Sequence, residues 1–187
     1  LFHQGRTEEE EDEQAIDETI KNVYPGLRIR GSVMDMPISD FIKIRRNCND
    51  ILSLESGVRN AVKDLVNYAH EVGVVARPQT ADGKGNGVDV IFNDPYGTRV
   101  AVAVVINKDH AKSFEQISNT LKSSGFVDKL VILTNANTIG GSNGNMVVNI
   151  DRCKMIDLIY FSNKYKNNEI MQDDSQRVLL LAKSIRL

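Results

Sequence analysis

The sequence predicts an α/β fold, a mixed β-sheet flanked by helices, on three observations. Across residues 54–72, Val58, Ala61, Val62, Leu65, Val66, Ala69 and Val72 fall at offsets 0, 3, 4, 7, 8, 11 and 14, which lines them along one face of a helix. Beyond Gly73 the period changes. Two apolar runs, 88–92 and 99–106, are separated by Asn93-Asp94-Pro95-Tyr96-Gly97, the composition of a turn, so they pair as neighbouring strands. A helical pattern over 111–123, carrying Phe114, Ile117 and Leu121, then leads to the apolar run 130–133, a strand reached by a crossover.

Taken in order, residues 1–14 are polar and acid-rich, too poor in apolar side chains to offset the entropy of ordering them. They read as a flexible acidic leader, or as the start of a solvated helix continuing through Ala15, Ile16 and Ile20. Tyr24-Pro25-Gly26 breaks the chain, because proline disfavours helix in the residue before it, and a short strand is expected at 27–29. Pro37-Ile38-Ser39-Asp40 has the form of a helix start, followed by Phe41, Ile42, Ile44, Arg45 and Arg46. The helix over 54–72 stops at Gly73 as a helix C-terminus commonly does.

Residues 74–76 are a candidate strand, and the loop over 78–87 contains three glycines. The run 99–106 is apolar on both faces, so it belongs in the middle of a covered sheet. A turn-rich loop follows at 138–144, further strands are expected at 146–150 and 156–161, and a last helix carries Val178, Leu179, Leu181, Ala182 and Ile185. The whole reads as a leader, 1–14, and one α/β domain, 15–187, with helical additions at both ends.

The formal net charge of -2 conceals an asymmetry. Residues 1–18 hold eight acids and one base, leaving 22 bases and 17 acids in residues 19–187, so an acidic arm precedes a mildly basic body. The longest apolar run, residues 100–106, is far short of the roughly 20 residues needed to span a bilayer, and no basic flank with an apolar segment opens the chain. A cytoplasmic protein without a membrane partner is expected. The chain opens with Leu1, which reads as a fragment or processed piece of something longer. Cys48 and Cys153 read as two thiols in a reducing compartment, with a single bridge as the alternative. His3, His70 and His110 give no ligand pair at helical spacing, so structural zinc is not expected.

Gly87-Val88-Asp89-Val90-Ile91, the strand from Arg99 onward ending in Val104-Val105-Ile106-Asn107-Lys108, and Leu130-Val131-Ile132-Leu133-Thr134-Asn135 follow one another in a recognisable order. With the preceding helix they cover about 80 residues, roughly 55–136, that resemble the core of the PD-(D/E)XK nuclease superfamily, the restriction-endonuclease-like fold. The resemblance implies that Asp89 stands at the family's first catalytic aspartate. It also implies that the strand after the turn should read V-E-V-K, its glutamate joining the aspartate on a divalent metal and its lysine orienting the attacking water. Mg²⁺ prefers hard oxygen ligands, and strand alternation puts a glutamate and a lysine two residues apart on one face.

Here the sequence departs from the family. The glutamate position falls on Ala103 and the lysine position on Val105, neither of which can ligate a metal or move a proton. Sliding the register by two residues presents Val105 and Asn107, still without a carboxylate, and Lys108 would need a bulge to turn inward. No catalytic site is expected on this reading, and no cofactor. If the domain is active, its site has migrated to Glu55, Asp89, Asn107 and Lys108, with Asp89 as metal ligand and Mg²⁺ or Mn²⁺ as cofactor.

Other motifs are poorer. Gly83-Lys84-Gly85-Asn86-Gly87 lacks the Gly-Lys-Ser/Thr end and following helix of a phosphate-cradling loop, and Gly140-Gly141-Ser142-Asn143-Gly144 lacks a lysine. No serine sits in a nucleophile elbow. Nucleic-acid contacts would fall to Lys84, Arg99, Lys108, Lys164, Tyr165 and Lys166, beside Tyr160 and Phe161, with Arg28, Arg30, Lys43, Arg45 and Arg46 as further bases.

The expected function is a catalytically inactive nuclease-like domain that binds DNA or a nucleic-acid-associated protein, since the resemblance extends to members that have lost their catalytic residues. The rivals are a metal-dependent DNA endonuclease with a migrated site, and an accessory domain of a larger ATPase or similar multidomain protein. An exposed edge strand in such a sheet could support a homodimer.

Overall fold

A computed structural model of the chain describes residues 26–75, 88–106, 127–135 and 146–187, together with the backbone of 79–80; elements are numbered within these. The expected leader 1–14, the helix over 111–123 and the loop at 138–144 lie outside the described residues; of the loop expected over 78–87, residues 79–80 form a strand and the others lie outside the described residues.

Helix α1 is Ile38–Asn47, and Pro37 precedes it with extended backbone (φ -61°, ψ 145°). Helix α2 is Ile51–Glu71, three residues longer at its start than the apolar stripe indicates. Its first turn is fixed by Asp50, whose carboxylate accepts from the Ser53 N–H at 2.7 Å. Ile51 and Leu52 in that turn are 55% and 65% exposed, so they contribute nothing to the stripe. Val58, Ala61, Val62, Leu65, Val66 and Ala69 are buried, whereas Val72 is the exposed residue that ends the helix.

Gly73 takes φ +80°, and the N–H groups of Val74 and Val75 then return to the Ala69 carbonyl. This corrects the strand expected at 74–76: the donors of Val74 and Val75 close the helix end instead of joining a ladder, and Ala76 lies outside the described residues. The strand expected at 27–29 is reduced to one bridge, Arg28 opposite Pro37.

The sheet runs in the order β1 (Gln79–Thr80), β2 (Val90–Asn93), β3 (Arg99–Val105), β4 (Lys129–Thr134), β5 (Met146–Asn149). β1–β2 and β2–β3 are antiparallel, while β3–β4 and β4–β5 are parallel, with Val102 opposite both Val90 and Val131. In the β2–β3 turn, Asp94 Oδ1 accepts from the N–H groups of Tyr96 and Thr98, both at 2.9 Å. β3 is central and buried on both faces, as its unbroken apolar run requires. Val100, Val102, Val104 and then Ile106 face the larger core with the helices, and Ala101, Ala103 and Val105 face a second apolar cluster.

Helix α3 is Arg152–Lys166, which corrects the strand expected at 156–161. Asp151 caps it by accepting from the Lys154 N–H at 2.8 Å. Met155, Ile156, Asp157, Leu158, Ile159, Phe161 and Ser162 are all buried because α3 packs against both α1 and α2. A helix covered on several sides shows a continuous apolar run, which periodicity cannot separate from a buried strand. α2 and α3 approach closely at Gly57, where a Cβ would stand 2.9 Å from Ile159 Cδ1. Asp157, on α3, accepts from Ser32 Oγ at 2.8 Å and from the Val33 N–H at 2.6 Å, tying the segment before α1 to the core. A single 3-10 turn, Gln172–Asp174, leads to helix α4, Ser175–Ser184, with Val178, Leu181, Ala182 and Ile185 buried. Among the described residues, no helix is long and apolar enough to cross a membrane.

Candidate functional site

Helix α2 delivers Glu55 and Arg59 to one face, four residues apart, at the point where β3 ends. Glu55 is buried; its Oε2 accepts from the Ile106 N–H at 2.9 Å, and its Oε1 lies 3.1 Å from Arg59 Nη2. Asp89 precedes β2. Val88 shares the second cluster with Ile91, while Val90 and Phe92 face the larger core, so strand alternation slips at Asp89 and frees its carboxylate to turn toward α2. The Asp89 N–H donates to the Val102 carbonyl at 2.9 Å, and Asp89 Oδ2 accepts from the Val104 N–H at 2.7 Å.

Arg59 joins the two carboxylates. Its Nε is 2.7 Å from Asp89 Oδ1, and its Nη2 also reaches the Val104 carbonyl at 3.4 Å. The Nε–H is not aimed along the line to Asp89, so that contact is an ion pair rather than a directed hydrogen bond. Burial pushes the Asp89 carboxyl above its ordinary pKa; the Val104 N–H, Arg59 and Lys63 pull it back in part, and the charge of Glu55 adds to the rise.

Two carboxylates and a carbonyl oxygen are the donor chemistry a hard divalent cation takes. The position between them is filled by the guanidinium, which already supplies the positive charge. Mg²⁺ or Mn²⁺ therefore does not fit between Glu55 and Asp89 while Arg59 is there. Among the described residues, no group of three or more His, Cys, Asp and Glu side chains is gathered as a metal would require.

Ala103 and Val105 are 0% and 2% exposed, packed with Val88, Ile91, Leu130 and Ile132. They stand on the β3 face turned away from α2, whereas Asp89 and Glu55 meet on the α2 side. Of the four residues of the expected migrated site, Glu55 and Asp89 are brought together; Asn107 and Lys108 lie outside the described residues, as does Lys84.

Among the remaining nucleic-acid candidates, Lys164, Tyr165, Lys166 and Arg28 have side-chain partners within the chain. Lys164 Nζ is 3.2 Å from Asp174 Oδ2 and 5.6 Å above the Tyr160 ring. The Tyr165 hydroxyl donates to Glu71, and burial first, then Glu71, drives its pKa well above the usual phenol value. Lys166 Nζ is 3.8 Å from Asp64, whose carboxylate also accepts from Ser162 Oγ. Phe161 is fully buried, edge-on to Tyr68, and is no stacking platform. Arg99 is exposed at the start of β3, where its N–H donates to Asp128 Oδ2 at 2.9 Å. Arg28 pairs at 4.0 Å with Asp35.

Cys48 and Cys153 are unbridged and half-buried, and burial first, then Asp50 and Asp151 respectively, raises both thiol pKa values. Sequence reasoning missed Arg59, although its spacing from Glu55 on a helix was a visible signal. It also missed Asp157, which lay inside a run read as a strand. Set against models of protein families, curated proteins and solved structures, the chain matches none of them.

Proposed function

We propose that this chain is a catalytically inactive nuclease-like domain that acts by binding, as a module of nucleic-acid transactions. The carrying observation is the burial of Ala103 and Val105 in an apolar wall, at the two positions where the resembled family needs its glutamate and lysine. A methyl and an isopropyl group can neither hold a metal beside a phosphate nor move a proton from water. The order of α2, the β2–β3 hairpin and the parallel β4 supports the nuclease-like reading of the fold.

The target is DNA or a protein partner. The internal partners of Lys164, Tyr165 and Lys166 favour the protein, because phosphate contacts there would have to displace carboxylates. The rival, an endonuclease with a migrated site, draws support from the convergence of Glu55 and Asp89, and is opposed by the guanidinium between them.

The test incubates the chain with duplex DNA, single-stranded DNA and RNA in Mg²⁺ and in Mn²⁺, then measures DNA affinity against salt. No cleavage is expected. Cutting that disappears in Asp89→Ala would replace the proposal with the endonuclease. Affinity for DNA that falls steeply with salt makes DNA the target, and no binding at low salt leaves the protein partner.

A further inference from the structure

The geometry points to Arg59 as a built-in cation that closes a divalent-metal position: we propose that Glu55, Asp89 and the Val104 carbonyl hold the guanidinium in place of an ion, and that removing it opens the position to Mn²⁺. The inference stands on the contacts alone and does not depend on what the domain binds.

Three oxygens converge on one guanidinium, Asp89 Oδ1 at 2.7 Å, Glu55 Oε1 at 3.1 Å and the Val104 carbonyl at 3.4 Å. Neither carboxylate is at liberty to swing away. The second oxygen of each accepts a backbone N–H, from Val104 for Asp89 and from Ile106 for Glu55, so the chain itself holds the remaining pair against the guanidinium, Asp89 Oδ1 at Nε and Glu55 Oε1 at Nη2. Two carboxylates bring two negative charges; the guanidinium returns one and Lys63 adds positive charge near Asp89, whereas a divalent ion would supply both charges on one centre. An ion taking the guanidinium's place would need its oxygens at roughly 2.0–2.6 Å and would complete its shell with water.

Arginine is suited to this role. Its planar fork reaches Asp89 through Nε and Glu55 through Nη2 at once. A lysine ammonium is a single point and cannot reproduce both contacts in that plane.

The experiment titrates Mn²⁺ into the native chain, Arg59→Ala and Arg59→Ala/Asp89→Asn, reading free Mn²⁺ by its paramagnetic resonance and thermal unfolding in parallel. Arg59→Ala is expected to bind one Mn²⁺ about tenfold or more tightly than either comparison protein, with a rise in its unfolding midpoint that the double variant lacks. A native chain that binds Mn²⁺ and loses it on Asp89→Asn overturns the proposal. So does a folded Arg59→Ala, judged by near-ultraviolet circular dichroism, whose Mn²⁺ binding equals that of the native chain. If Arg59→Ala does not fold, even with Mn²⁺ present throughout refolding, Arg59→Gln takes its place under the same criteria, and loss of folding there as well counts against an exchangeable cation. Cleavage of nucleic acid enters none of these readouts, so failure here is distinct from failure of the binding-module proposal.

Discussion

The Ile106 N–H donates to Glu55 Oε2 at 2.9 Å, across 51 positions of sequence. Ile106 lies just past the paired residues of β3 and is buried, so its donor needs an acceptor the sheet does not give. A helix side chain supplies it. Glu55 therefore does two jobs, ending the strand with one oxygen and holding Arg59 with the other.

These jobs separate by substitution. Glu55→Gln keeps a carbonyl oxygen for Ile106 but turns an amide toward Arg59, and is expected to cost about 2 kcal/mol, the range for a hydrogen bond to a charged group. Glu55→Ala strands the Ile106 donor as well and is expected to cost about 2 kcal/mol more. Urea unfolding of the three proteins at neutral pH measures both steps. Equal losses would mean that the Ile106 bond contributes nothing.

Asp157 gives stability a pH dependence. Burial raises its pKa above the usual 3.8, and the Ser32 hydroxyl and the Val33 and Met34 N–H groups only partly offset that. The folded chain thus holds this proton more tightly than the unfolded chain. The resulting stability is fully present below pH 3.8 and is lost as pH rises through the raised value. Relative to Asp157→Asn, which has no such proton, the native chain is expected to lose stability as pH climbs from below 3.8 toward neutrality. Asp157→Ala should cost about 3 kcal/mol at neutral pH by stranding the Val33 donor and the Ser32 hydroxyl. Denaturant midpoints across pH, with all three proteins side by side, test both statements; a native chain that gains stability relative to Asp157→Asn as pH rises would contradict the first.

Gly57 sets opposing effects against each other. Alanine gains about 1 kcal/mol of helix propensity, but its Cβ would sit 2.9 Å from Ile159 Cδ1 and 3.2 Å from Cγ1. The Ile159 tip can rotate away, so Gly57→Ala is expected within about 1 kcal/mol of neutral. Gly57→Leu must push α3 off α2 and is expected to cost about 3 kcal/mol. Thermal unfolding decides; a harmless leucine would show that the helices have room between them.

How far the sequence could be read depends on how each element is covered. α2 was legible because its buried residues, among them the stripe from Val58 to Ala69, recur at helical spacing among residues that meet water. β3 was legible because seven consecutive apolar residues following a turn belong in the middle of a sheet. α3 was not, since burial on several sides erases the period; only Asp151, the cap that Lys154 answers, marked its start. That Ala103 and Val105 stand where the resembled family has its glutamate and lysine was legible from the register of the strand alone. That Arg59 would bridge Glu55 to Asp89 could not, because the approach of residues 59 and 89 follows from packing a helix on a sheet and from a slip in alternation that no short sequence window displays.

The bond from Val33 to Asp157 spans 124 positions, and this has a consequence for how the chain is made. At bacterial to eukaryotic elongation speeds of about 5–20 residues per second, the ribosome needs roughly 6–25 s after Val33 to produce its acceptor. The apolar stripe of α2 waits almost as long for α3. A nascent chain thus carries an amphipathic helix without its mate until α3 has been made, so the larger core closes late, and chaperone demand should fall on the segment around α2.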